Sequence, residues 1–244
     1  MIECVDMTKD QNLSGRELHH LLESAREGDN LSSALELGMR SLLAYAQEKD
    51  QLGFAEALDS IFIVFKHLHR QQKFKPYWIL AGAIVRSSVE IAEKSGDNQA
   101  LALPQLNLAE FLEESGELKQ AKEMYRKAVR SMTQFPHPEH DRPAVLVLMK
   151  LRLALCELVL GDQTAVTNIE SFLAELAADT GVDADYNCKV WISGGYLRLA
   201  EHFKNKDLKL AQEYLQQAQE IIENDERLLL RRQQLDVMLS RFND

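Results

Sequence analysis

The stretch from Gln105 to Val129, QLNLAEFLEESGELKQAKEMYRKAV, decides the fold. Leu108, Ala109 and Leu112 fall on one face of a helix. Ser115-Gly116 interrupts that pattern, and Ala121, Tyr125 and Ala128 resume it on a second helix. The second-helix spacing, a small residue followed four and seven positions on, occurs four more times. It reads Ala34-Gly38-Ser41, Ala81-Val85-Ser88, Ala165-Ile169-Phe172 and Ala211-Leu215-Ala218, and the leading alanines lie 47, 40, 44 and 46 residues apart. A unit of this length is too short to bury its own apolar face, so copies must stack on one another.

Outward from that stretch the helical period runs almost without a break. Punctuation at Gly28-Asp29-Asn30, Gln71 to Pro76, Ser95 to Asn98, Ser115-Gly116, Pro136 to Pro143, Gly161-Asp162, Thr180 to Asp183 and Asn205 to Asp207 predicts about eleven helices. They fall near 14–27, 31–49, 51–71, 76–95, 98–115, 117–135, 143–160, 163–179, 184–204, 207–224 and 225–242. Each alanine triplet lies on the second helix of a pair. Pro76 and Pro143 suit a first helical turn, while Gly28, Gly116 and Gly161 suit the left-handed residue that closes a helix. The expected organisation is a flexible N-terminus over 1–13, a helical-repeat domain over 14–224 and a capping helix over 225–244. In the last segment Leu228, Leu235, Met238, Leu239 and Phe242 form an apolar stripe, which covers either the open end of the stack or a second copy of the chain in a homodimer.

The Gln105–Val129 copy resembles the tetratricopeptide repeat. Leu108 and Ala109 match its Leu-Gly pair, Leu112 stands for its Tyr, Gly116 lies in the turn, and Ala121, Tyr125 and Ala128 complete the second helix. A second copy begins with Tyr196, Leu199, Ala200 and Phe203 and continues with Ala211, Leu215 and Ala218. The period exceeds the usual 34 residues. In this the chain is similar to the extended repeats of kinesin light chains and mitotic spindle adaptors. The resemblance implies an all-α, α-α superhelical solenoid of about five hairpins plus the cap, acting as a non-enzymatic adaptor that holds a peptide or helix of another protein in a concave groove.

Composition narrows the partners. With 28 Lys and Arg against 38 Asp and Glu the net charge is −10, which argues against nucleic acid, whose phosphates need clustered cations. No apolar run is long enough for a membrane span, and MIECVDMTKDQ lacks the basic and apolar regions of a secretion signal. Cys4, Cys156 and Cys188 form no Cys-x-x-Cys pair and leave no complete disulfide set, as suits a reducing cytoplasm. Phosphate-binding glycine loops and the Gly-x-Ser-x-Gly elbow are absent, and no cofactor is expected. Glu17-x-x-His20 lacks the second such motif of a di-iron bundle and reads as helix surface. His137-Pro138-Glu139-His140-Asp141 gathers potential ligands but reads as a solvated loop, so no metal is expected. An all-helical enzyme using either motif is the minor alternative. Gly194-Gly195 implies close helix packing, and Cys156, in an apolar run, an inert thiol.

Charge is distributed unevenly. Between Asp59 and Glu90 there is no carboxylate, but Lys66, Arg70, Lys73, Lys75 and Arg86 are present. Lys66, Arg70 and Lys73 share a helix face and, by alignment with the resembled family, would line the groove and select an acidic ligand. Their alternative role is to complement a helix C-terminus. The same alignment assigns Asn107 and Glu110 to the groove of the third hairpin, and Leu151, Leu155 and Leu158 to that of the fourth. Val145, Leu146, Met149, Leu153 and Val159 make the fourth-hairpin helix apolar nearly all round, so the chain itself or a partner must cover its second face.

Overall fold

The structure is a computed structural model that describes residues 13–243. The expected flexible N-terminus, with Cys4, lies outside the described residues except for Leu13. The chain divides into two compact units after Gly96. The first contains α1 (Gly15–Glu27), α2 (Leu31–Glu48), α3 (Gln51–Gln72) and α4 (Lys75–Ser95). The second opens with a 3-10 turn, Asn98–Ala100. It continues with α5 (Ala102–Glu114), α6 (Leu118–Gln134), α7 (Pro143–Val159), α8 (Ala165–Ala177), α9 (Asn187–Phe203), α10 (Leu208–Glu223) and α11 (Leu229–Asn243). Among the described residues there is no strand.

Local chemistry sets most of these boundaries. Ser14 and Glu17 form a reciprocal capping box at the start of α1. Asn30, Asp50 and Asp207 each accept an orphan N–H at the next helix start, from Ser33, Gly53 and Leu210. Such caps stabilise by about 1 kcal/mol each. Gly116 (φ 82°) and Gly161 (φ 104°) are left-handed. Gly28 is not, with φ −75°. The left-handed residue there is Asp29 (φ 58°), whose carboxylate accepts a bond from Gln71 Nε2 at 2.8 Å. Three helices start three or four residues later than the period implies: a 3-10 turn capped by Asp97, which accepts the Gln99 N–H, precedes α5, and aspartates also bond locally before α9 and α11. Asp183 O accepts from Cys188 N before α9, and Asp225 takes the Arg227 N–H and its own O takes the Leu228 N–H before α11.

The hairpins α1/α2, α3/α4, α5/α6, α7/α8 and α9/α10 each place an alanine triplet on the second helix, at the contact with the first. Ala34, Ala81, Ala121 and Ala211 are fully buried and Ala165 nearly so. Within the first unit Tyr45 of α2 is 1% exposed, wedged between Gly15 of α1 and Gly53 of α3. A Cβ on either glycine would lie 2.5 Å or 2.2 Å from its ring. Ser41 of the same helix donates to Gly15 O at 2.9 Å. In the second unit α11 packs on α9 and α10, and Leu228, Leu235 and Met238 are buried there with Leu239 and Phe242 against the same core. No helix of the described residues is long and apolar enough to cross a membrane.

Candidate functional site

The structure separates the residues expected to line a groove into three kinds. Leu151, Leu155 and Leu158 of α7 are 1%, 2% and 1% exposed. They belong to one core with Ile169 and Leu173 of α8 and Leu197 and Leu199 of α9. The chain itself covers the second face of α7, so these leucines are not open to a partner. Gly195 shows how closely the covering helices approach: a Cβ there would sit 2.8 Å from Leu173 Cδ2. Gly194 next to it receives the Arg231 guanidinium of α11, whose Nε donates to Val190 O at 3.0 Å.

The second kind is spent on internal polar contacts. Asn107 is buried. Glu110 of α5 pairs with Arg152 of α7 at 3.3 Å. One turn on, Glu113 binds Arg198 of α9 and accepts the Tyr125 hydroxyl at 2.7 Å. Tyr125 is fully buried, and burial raises its phenol well above the usual value, so it stays a donor. Glu110 and Glu113 are therefore neutralised by arginines from the next two hairpins. Glu157 of α7 is held likewise by Lys122 (3.0 Å) and Arg126 (3.2 Å) of α6.

The basic segment belongs to the first unit. Lys66 of α3 is buried, its ammonium 5.3 Å from the centre of the Phe62 ring, so it is not the exposed clamp that alignment with the repeat family implies. Arg70 is half-buried, and Lys73 is exposed as the left-handed cap of α3 (φ 54°). This cap makes a sharp turn, and Pro76 in the first turn of α4 fixes the chain direction beyond it. At that tip Phe74 is 53% exposed, Ile79 62% and Leu80 46%. Phe74 meets Tyr77 edge-on at 5.2 Å, and His69 lies 5.5 Å from Trp78. Charge alone does not single out these side chains. The run Phe74-Lys75-Pro76-Tyr77-Trp78-Ile79-Leu80 at a helix start, too apolar to alternate with a polar face, is the signal that marks them.

Candidate reactive groups are placed as follows. Glu17 is engaged in the capping box, and His20 lies exposed, 4.0 Å from Glu23. Burial pushes the Cys156 thiol up to about 12 and the Cys188 thiol up to about 11. Iodoacetamide at pH 8 should accordingly leave both unmodified in the folded protein and label both in denaturant, as read by peptide mass spectrometry. Labelling of native Cys156 would mean that the α6/α7 contact opens readily.

No sequence-family description and no curated protein matches the chain. Solved structures do. It is similar to BtubC (BKLC) from P. vanneervenii, with 14% identity over 86% of this chain and 80% of that one and a TM-score of 0.59. It is also similar to the nearly identical TPR-like repeats of a putative kinesin light chain from Podosopora anserina, with 17% identity over 86% and 96% and a TM-score of 0.51. A point-substituted form of the latter gives 0.52. The shared features are the helix-pair unit and its stacking, and the alanine triplets at every second helix are this chain's version of that unit. The fold is thus an all-α helical-repeat solenoid of the tetratricopeptide-like class.

Proposed function

We propose that the protein is a non-enzymatic interaction scaffold that captures an acidic segment of a partner protein, bearing apolar side chains, on the α3/α4 tip. The observation that carries this reading is the exposure of Phe74 at the N-cap of α4 and of Ile79 and Leu80 in its second turn, within a segment that has no carboxylate between Asp59 and Glu90. Apolar area removed from water contributes roughly 25 cal/mol per Å2, so covering three such side chains supplies a binding core. Lys73 and Lys75 flank it and, in a chain of net charge −10, select for a negative ligand and speed its encounter. The turn is preset by the Lys73 cap and Pro76, which keeps the ordering cost of binding low. The groove-lining role of Leu151, Leu155, Leu158, Asn107, Glu110 and Lys66 is replaced in this reading, because these side chains are already buried or paired.

An array of acidic peptides with and without aromatic residues tests the proposal. Phe74→Asp/Ile79→Asp should weaken the bound peptides by more than about 10-fold, since an apolar anchor at the centre of an interface carries much of the energy. Lys73→Glu/Lys75→Glu should slow association, and wild-type binding should fall with salt. Both variants alter exposed positions and should keep the wild-type circular dichroism. Equal binding by the wild type and both variants would sink the proposal.

A further inference from the structure

We propose that the loop joining α6 to α7 holds a divalent transition-metal ion, with zinc as the representative, between His137, Glu139 and His140. One donor atom from each residue lies within 4.8 Å of the others. In a tetrahedral site with bonds near 2.0–2.2 Å, neighbouring donors stand roughly 3.4 Å apart. The three side chains therefore close on the ion by small rotations, which half-buried His137 and His140 and exposed Glu139 are placed to make.

The backbone prepares this arrangement. His140 N donates to His137 O at 2.8 Å, and Arg142 N donates to His140 O at 2.8 Å, so the segment is a closed turn that brings both rings to the same side, their centres 5.7 Å apart. Glu139 N donates to His137 Nδ1 at 3.3 Å, so without an ion the proton of that ring sits on Nε2; ligation through Nε2 moves the proton to Nδ1 and gives up this one bond. Pro136, Pro138 and Pro143 stiffen the loop, and donors so close in sequence add little closure entropy. The sequence taken alone favours a solvated loop, because spacing does not reveal that the turn gathers the donors.

Two imidazoles and a carboxylate choose the metal. Calcium and magnesium take oxygen ligands, whereas a nitrogen-rich set with one oxygen suits zinc and its neighbours. The site is separate from the α3/α4 tip and stands or falls independently of the reading given to it.

Tag-free full chain, stripped with chelator, is to be titrated with Zn2+ by calorimetry and with Co2+ by its visible absorption. The expected result is one saturable site per chain. His137→Ala and His140→Ala should each weaken it by more than about 100-fold, since loss of a direct ligand exceeds the 10–100-fold typical of supporting contacts, and Glu139→Gln by about 10-fold. Circular dichroism should be unchanged in all three, because the loop carries no core side chain. Two results overturn the proposal: no saturable binding by the wild type, or binding that survives in the His137→Ala/His140→Ala double variant, which would place the ion elsewhere.

Discussion

Replacing Leu155 by aspartate should unfold the second unit. Leu155 is 2% exposed and packed among Leu151, Leu158 and side chains of α8 and α9. A carboxylate there would lose its hydration without gaining a partner, at a cost of several kcal/mol even after relaxation. Removing the leucine side chain adds about 2–5 kcal/mol of lost transfer and cavity energy. Together these approach or exceed the roughly 5–15 kcal/mol by which domains are stable. Loss of the cooperative melt and of resistance to limited proteolysis over residues 97–244 is the expected reading. A variant that melts with the wild type would show that α7 is not covered as described.

The second large effect is a coupling in the first unit. Tyr45→Ala should cost about 3–5 kcal/mol, as for other buried aromatic side chains. Gly53→Ala is the sharper test, because two effects oppose each other. Alanine is favoured over glycine within a helix by up to about 1 kcal/mol. Its Cβ, however, would meet the Tyr45 ring at 2.2 Å, and the ring cannot retreat because Gly15 lies on its other side. Overpacking of this kind costs about 1–3 kcal/mol, so the net change should be destabilising. In the Tyr45→Ala background the clash is gone and the same substitution should stabilise. Additive melting shifts across the double-mutant cycle would contradict the wedge.

Much of the fold is legible in the residues themselves, because close helix contacts leave a local signature. Ala121, Tyr125 and Ala128 must be small or fitted to their neighbours wherever the chain goes, and the caps at Ser14, Asn30, Asp50 and Asp207 act within four residues. The candidate site is far less legible. Whether Leu155 faces a groove or a neighbour depends on how closely α8 and α9 approach, and whether Glu110 is a ligand or an internal anion depends on Arg152 of the next hairpin. Alignment with repeats of shorter period does not carry that information. The tip at Phe74 is half legible: its apolar run marks the segment, but such a run reads as core until its exposure is known.

The ties from α5 bear on how the second unit comes apart. A stack in which each hairpin touches only its neighbour behaves as a one-dimensional Ising chain, free to fray from its ends inward. Glu110 to Arg152 is a nearest-neighbour bond of that kind, but Glu113 to Arg198 passes over the α7/α8 hairpin and joins α5 directly to α9. A next-nearest-neighbour coupling penalises every state in which one of these hairpins has melted and the other has not. It moves the unit from sequential unravelling toward a single transition, with the partly frayed species depleted from the ensemble.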